Sequence, residues 1–302
     1  MTTRLRFVGE PTLLVLLWSS GAVAIGIGLD GMSPQTFLTV RAIGAASCAW
    51  AIVLTTRSTL PTGRELAIVV GAGLLLQVTY QCAYFLAIAH HIGAGMISLI
   101  MSAQPLLTVV AAGALSRRTA VGAGLGVIGV GVAVVADTSG TGDASIVAFA
   151  FAAVALLAIT AGTLVQAKVT STTGWSCVAV QSTVSATVFG GVVMAIGPGE
   201  VHLTVSSVVA VAWVTIVVSV IATALLYRIT RERGAVVVSG LFLVVPSCAA
   251  GLDYLLTGTG VPPLAIVGGA VAVVGLVMLQ RPDTRSRRSI RRGRDRRLAS
   301  PS

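Results

Sequence analysis

Ten long apolar runs, each about as long as a helix that crosses a bilayer, constrain this chain more than any other feature. They cover residues 11–29, 34–54, 66–89, 93–114, 119–136, 144–167, 175–196, 205–227, 234–252 and 262–280. A spanning helix takes about 20 apolar residues. In hydrocarbon every backbone N–H and C=O must find its partner inside a helix or a closed barrel. Barrel strands would alternate in polarity over about ten residues, and these runs do not, so they are read as helices. Composition agrees: of 302 residues 55% are apolar and 10% charged, with a mean hydropathy of +0.96. A soluble domain carries about 25% charged residues, so this chain lacks the charge to cover a soluble surface. A soluble enzyme and a disordered chain are both excluded.

The net charge of +10 and the pI of about 10.7 would suit a nucleic-acid binder, but the positions of the charges say otherwise. Cytoplasmic connections retain Lys and Arg. Arg4 and Arg6 precede the first run, and the first connection has no basic residue. Arg57 and Arg64, then Arg117 and Arg118, then Lys168, then Arg228, Arg231 and Arg233 occupy alternate connections. Those between them have none, and the tail from Arg281 holds nine arginines. Strict alternation predicts an even number of spans with both termini in the cytoplasm. Of the acids, Glu10, Glu65, Glu232, Asp283 and Asp295 fall inside, while Asp30, Asp137, Asp143, Glu200 and Asp253 fall outside. The basic excess is therefore a topology signal. The predicted partner of the tail is anionic lipid, at about 1 kcal/mol per basic residue, and no nucleic acid is expected.

Arg4 and Arg6 followed by an apolar run and Ala22-Val23-Ala24 also fit a secretory leader. The run continues to Leu29, and cleavage would break both the alternation and the repeat below, so the first span is kept.

Self-comparison shows an internal repeat. At an offset of 141 residues Gly21 matches Gly162, Gly93-Ala94 matches Gly234-Ala235, Ser98 matches Ser239 and Pro105 matches Pro246. Near 144, Gly124 falls on Gly268 and Gly131 on Gly275. Five spans per copy is an odd number, so the second copy is inverted in the membrane. The expected fold is an all-α integral membrane protein, ten transmembrane helices in two inverted five-helix repeats, N-in and C-in. Residues 1–10 form a cytoplasmic N-terminus, 11–136 and 144–280 the repeats, and 281–302 an Arg-rich disordered tail. Inverted repeats are a common build of secondary transporters, with the substrate site between them near the midplane.

Several motifs in this order resemble the EamA family of the drug/metabolite transporter superfamily, over about residues 10–280. Leu17-Trp18-Ser19-Ser20-Gly21 is similar to its first-helix pattern, and Ser33-Pro34 with Val40-Arg41 to the start of its second helix. The stretch from Ala87 through His90-His91-Ile92-Gly93-Ala94 and Ser98 to Gln104-Pro105 is similar to its fourth-helix signature. Arg233-Gly234-Ala235 through Val245-Pro246 repeats that stretch. The resemblance implies a central cavity lined by helices one to four and six to nine, with five and ten peripheral. It also implies movement of small metabolites or drugs, often outward, by alternating access. The chain departs from the family at the ends of the fourth and ninth helices, where members commonly carry Gly-Glu. Here the sequence reads Gly113-Ala114-Leu115-Ser116 and Thr257-Gly258-Thr259-Gly260.

Candidate substrate-binding or cavity-lining residues are Trp18, Arg41, Gln77, Tyr80, Gln81, Ser98, Gln104, Gln181, Tyr227 and Ser239. Arg41 alone among the basic residues falls inside a span, where it costs about 2.5–3.5 kcal/mol at the helix centre. It must snorkel, bond helix-end carbonyls, or face a wet cavity and an anionic substrate group. Gln77, Tyr80, Gln81 and Tyr84 recur at spacings of three and four and form one polar stripe. Intramembrane Ser and Thr often serve only as interhelical glue, at about 0.6 kcal/mol, but glutamine amides need several partners. Pro105 and Pro246 each free a mid-helix carbonyl and are read as matched hinges.

Other patterns carry less. Gly124-x-Gly126-x-x-Gly129 lies in a span without a preceding strand, so it reads as a small-residue face for close packing or a homodimer, not a dinucleotide site. Cys48, Cys82, Cys177 and Cys248 lack metal or redox spacing and are read as small core residues. His90 and His91 are adjacent and cannot share one helix face, which argues against a metal site. No catalytic motif, phosphate loop or cofactor motif is present, so neither an enzyme nor a cofactor is expected. The leading expectation is a multi-pass transporter of the cytoplasmic membrane, exporting small polar or amphipathic metabolites such as amino acids, or drugs. The alternative is a non-transporting scaffold or degenerate paralogue, favoured by the absent Gly-Glu pairs.

Overall fold

The computed structural model describes residues 2–90 and 146–245 continuously. Beyond them it describes 97, 100, 101, 103–113, 116, 117, 120–122, 124, 125, 128, 248, 249, 251, 252, 255, 267, 270, 271, 274 and 278. Every regular element among these residues is helical: α1 (Thr2–Leu29), α2 (Pro34–Thr56), α3 (Gly63–Gly73), π1 (Leu74–Thr79) and α4 (Tyr80–Ala89), then α5 (Gln104–Ala111), α6 (Ile146–Gln166) and α7 (Gly174–Ile196). The remainder are α8 (Val205–Trp213), π2 (Val214–Ala222), α9 (Thr223–Arg233) and α10 (Ala235–Leu241).

Hydroxyl caps start the rods where the sequence places them. Ser33, followed by Pro34, accepts the Thr36 N–H at 3.4 Å; Thr173 accepts the Ser176 N–H at 3.2 Å; Thr204 and Ser207 form a reciprocal capping box. Each satisfies a first-turn donor that has no intrahelical partner.

Six rods among the described residues are long and apolar enough to cross a membrane: Val8–Leu29, Pro34–Thr56, Gly63–Ala87, Ile146–Gln166, Gly174–Ile196 and Val205–Arg233. Large apolar side chains such as Leu54, Leu157, Val209, Met194 and Ile146 stand exposed on them, whereas polar side chains such as Thr163, Gln166, Ser176, Gln181, Ser185 and Ser219 are buried. That inversion of the soluble pattern suits a body whose outer surface meets lipid. The expected spans 119–136 and 262–280 lie largely outside the described residues.

Two rods depart from the regular helices expected. The third (α3–π1–α4) and the one from Val205 (α8–π2–α9) each contain a π segment, whose i→i+5 bonding widens the turn. Hydroxyls take up the loosened carbonyls. Ser219 Oγ donates to Val214 O and Thr223 Oγ1 to Val218 O, both at 2.9 Å and five residues back. Ser185 of α7 donates across to Gln77 O at 3.4 Å. Because Ser, Thr and the lone amide are spread through apolar sequence, nothing in the one-dimensional pattern marks these turns.

Small residues let the rods meet. A Cβ on Gly21 of α1 would fall 2.9 Å from Val218 Cγ2 in π2, and one on Gly162 of α6 would fall 2.6 Å from Leu76 Cγ in π1. At Gly174 the obstruction is backbone: its Cβ would lie 2.5 Å from Ala224 O. The main buried cluster runs through Leu14, Ala45, Ala49, Val69, Cys177, Val178, Val220, Ile229 and Val238, joining α1, α2, α3, α7, π2, α9 and α10.

The two ends of the bundle are tied differently. At one end the α1–α2 connection meets the α7–α8 connection: Met32 and Val201 form an isolated antiparallel bridge, Ser33 N donates to Glu200 O at 2.9 Å and His202 N to Gly31 O at 2.8 Å, and Thr36 Oγ1 donates to Pro198 O. At the opposite end Glu65, in the first turn of α3, accepts the N–H groups of Thr170, Ser171 and Thr172 at 3.0, 3.0 and 3.3 Å. Ser176 Oγ donates to Thr59 O there at 2.8 Å, and Arg231 to Thr172 O at 2.9 Å. Arg228 bridges Glu10 at 3.1 Å and Glu232 at 3.0 Å at this same end.

Candidate functional site

The polar side chains of the rods converge instead of facing lipid. Gln77 of π1, Gln166 of α6, Gln181 of α7 and Tyr227 of α9 come from four rods and form one hydrogen-bonded chain. Gln77 Nε2 donates to Tyr227 Oη at 3.2 Å, the Tyr227 hydroxyl donates to Gln181 Oε1, and Gln181 Nε2 donates to Gln166 Oε1 at 2.7 Å. Gln166 Nε2 ends the chain on Cys177 Sγ at 3.7 Å. Tyr227, Gln166 and Gln181 are all buried. Each link joins a donor to an acceptor already oriented by the next, so the chain fixes amide rotamers that would otherwise be free.

Beside this chain lies a small cavity that is partly open to the outside. Its polar lining comprises Gln77, Tyr80, Gln81, Thr163, Gln166, Tyr227 and Thr230, and its apolar lining Trp18, Leu76, Ile159, Leu226, Val238 and Phe242. Trp18 and Phe242 meet edge to face with centroids 5.3 Å apart, and form an aromatic corner between α1 and the turn after α10. Apolar walls with a few convergent polar groups are the usual make-up of a small-molecule pocket.

Of the residues singled out in the sequence, Trp18, Gln77, Tyr80, Gln81 and Tyr227 line this cavity. Gln181 stands behind the wall and holds Gln166 and Tyr227 in place. Gln104 is buried and donates to Thr163 Oγ1 at 3.3 Å, so it braces a lining residue. Ser239 is buried too, but its hydroxyl turns back to Val236 O at 3.1 Å, and its neighbours Val238 and Phe242 face the cavity instead. Ser98, His91 and Pro246 lie outside the described residues. Pro105 stands where the apolar run 93–114 is broken: Ile100 and Met101 are helical, Ala103 lies in a turn, and a helix resumes at Gln104. It sits in the first turn of α5, after a tight turn in which Ala103 N bonds Ile100 O at 3.1 Å. There its missing N–H costs no intrahelical bond.

Arg41 neither snorkels nor reaches a helix-end carbonyl. It is only 8% exposed, between α2 and π2, and donates from Nη1 to Ser219 Oγ at 3.4 Å. Its Nε has no partner. The hydroxyls of Tyr80 and Tyr227 lie within electrostatic range of its guanidinium. No group of three or more His, Cys, Asp or Glu suited to a metal occurs among the described residues, and the cysteines are free. His90 stacks on Phe151 with centroids 5.5 Å apart.

Sequence reasoning passed over α6. Thr160, Thr163 and Gln166 recur every third residue along α6, a polar stripe as regular as the one on the third rod, and two of the three line the cavity. Ser219 was missed because an isolated serine in a span carries no signal of its own.

Residues 12–135 match the EamA-like transporter family. No curated protein sequence matches the chain. Among solved structures, one crystal structure of a protein superposes with a TM-score of 0.76 at 18% identity, covering 90% of this chain and 98% of its own; at that identity it speaks for the fold alone. Apolar helices of spanning length and the family match together make this a multi-pass membrane protein. Over residues 12–135 the chain is thus similar to the EamA-like transporter family.

Proposed function

We propose that the chain is a secondary transporter of the cytoplasmic membrane that exports small polar or amphipathic metabolites by alternating access. Ten spans in two inverted five-helix repeats, with both termini inside, complete this reading. The observation that carries it is the meeting of Gln77, Gln166, Gln181 and Tyr227, from four rods, at the edge of a cavity. A scaffold gains nothing from collecting amides around an empty space, while a transporter needs polar groups where a solute is to shed its water.

Three features support the repeat. The offset of 141 carries π1 onto residues 215–220, inside π2. The matched pair Gly21 and Gly162 abut these two π segments, on Val218 and Leu76. The end ties correspond as well: Thr36 and Ser176, each three residues after the cap of the second helix in its copy, donate their hydroxyls to Pro198 O and Thr59 O at opposite ends. The matched residues 12–135 also coincide closely with the expected first repeat, 11–136. The charge alternation places the Glu65 end in the cytoplasm and the Met32–Val201 end outside.

Purified full chain in liposomes, loaded with a panel of amino acids, organic acids, amines and dyes and assayed with and without a pH gradient, tests the proposal. Saturable movement of at least one class above protein-free liposomes is expected. Silence across the panel would favour the scaffold reading, which the absence of Glu after Gly113 supports.

A further inference from the structure

Arg41 is the one charged side chain among the described buried residues. A guanidinium carries five N–H donors and no acceptor, and here only Nη1 has a described partner, at the long limit of 3.4 Å. That partner is a neutral hydroxyl, which accepts from Arg41 while donating its own proton to Val214 O and brings no negative charge. Nε is buried without any partner. Of the two tyrosines that interact with it electrostatically, Tyr227 already donates to Gln181 and accepts from Gln77. A buried cation left this way is unfavourable in the solute-free protein, and no acid among the described buried residues compensates it.

We infer that Arg41 is the docking point for the anionic group of the transported solute, and that the solute is a small monocarboxylate with an apolar side group. This rests on the transporter reading above and names its substrate class: Arg41 does not itself line the described cavity, but Tyr80 and Tyr227, which do, interact electrostatically with its guanidinium, so the charged end of the solute would pass between them to reach it. The planar fork of Arg matches a carboxylate in bidentate fashion. One unpaired positive charge with no described buried acid beside it suits a single negative charge. A dianion would bring an unmatched charge, a cation would be repelled, and the ammonium of a zwitterion would find only amide and hydroxyl oxygens. Trp18, Leu76, Leu226 and Phe242 supply the apolar wall for the rest of the solute.

Four compounds that share one ring isolate the charge: phenylacetate, phenylacetamide, phenethylamine and phenylalanine. Binding of labelled phenylacetate to purified full chain in detergent, with the other three as competitors, is read beside counterflow in liposomes. Phenylacetate is expected to compete at least tenfold better than the amide or the amine. Arg41→Gln is expected to abolish that preference, and Arg41→Lys to restore part of it. Thermal unfolding without solute gives a separate readout: removing an uncompensated cation should leave Arg41→Gln as stable as the parent or more so. Transport or binding without charge preference, or a preference that survives Arg41→Gln, would overturn the inference and leave the transporter reading intact. A large loss of solute-free stability in Arg41→Gln would likewise overturn it, by making Arg41 a structural residue. If no solute of any charge binds or moves, here or across the broader panel, both fall.

Discussion

Tyr227→Phe removes a single oxygen and tests whether the amide chain is a bonded network or a coincidence of packing. The hydroxyl is the described donor to Gln181 Oε1 and the acceptor for Gln77 Nε2. Gln181 is 1% exposed, so its oxygen cannot turn to water; Gln77 is half-buried at the cavity and can. One buried acceptor is therefore stranded. In a water-soluble protein that costs about 1–3 kcal/mol. Interhelical polar contacts in membranes average only ~0.6 kcal/mol, with a maximum near 1.7, because side chains in the unfolded bundle also find partners within the bilayer. Gln181 is held at both ends, by Tyr227 and by Gln166 at 2.7 Å, so its rotamer is fixed before the hydroxyl is lost and it cannot swing to another donor. That places the expected cost near the upper membrane value, about 1–1.7 kcal/mol, or roughly a tenfold shift in the unfolding equilibrium. A double-mutant cycle of Tyr227→Phe with Gln181→Leu, read by reversible unfolding in mixed detergent micelles, isolates the coupling from the loss of Gln181's other bond. A coupling of about 1 kcal/mol is expected. Additivity within the usual error of about 0.3–0.5 kcal/mol would refute the network, and with it the view that the cavity wall is held in one arrangement.

The glycine contacts make a paired test: Gly174→Ala drives a Cβ to 2.5 Å from Ala224 O, which is helix backbone and cannot rotate away, so a loss of about 1–3 kcal/mol is expected. Gly191→Ala, with open space at its Cβ, should instead stabilise by up to ~1 kcal/mol through helix propensity, and thermal unfolding compares the two directly. Glu65→Gln weakens the tie to Thr170, Ser171 and Thr172, because charge-assisted bonds are about twice as strong as neutral ones. Thiol labelling of an added cysteine at that end should rise several-fold. Thr36→Val, which cuts the bond to Pro198 at the far end, should move the same label the opposite way if the two ends alternate. A shift in the same direction for both variants would count against alternation.

The legible part of this protein was whatever depends on local composition. Caps at Ser33, Thr173 and Thr204 stop and start rods within a few residues of where apolar runs end. Of the stripe Gln77, Tyr80, Gln81 and Tyr84, found by spacing alone, the first three reach the cavity. Arg41 was conspicuous as a charge in an apolar run. Its surroundings were not: of the three readings offered for it, snorkelling and helix-end carbonyl bonds give way to Ser219, a residue 178 positions away on a π turn. Pro105, read as a hinge, lies just after a turn at Ala103 that separates helical residues 100–101 from α5.

Sequence by itself determined the solvent this chain folds in, the positions of its rods and the alternation of its charges. Each follows from transfer free energies summed over a single segment, with no knowledge of neighbours. Tertiary structure alone decided which faces meet, because lipid is as apolar as the rods and hydrophobicity cannot choose among them. That choice fell to close approach at glycines such as Gly21 and Gly162, and to hydrogen bonds between side chains distant in sequence, from Gln77 to Tyr227 and from Gln181 to Gln166. The widened turns π1 and π2 belong to the same class, for a helix gains an extra residue per turn only where partners across the bundle take up the bonds it loosens.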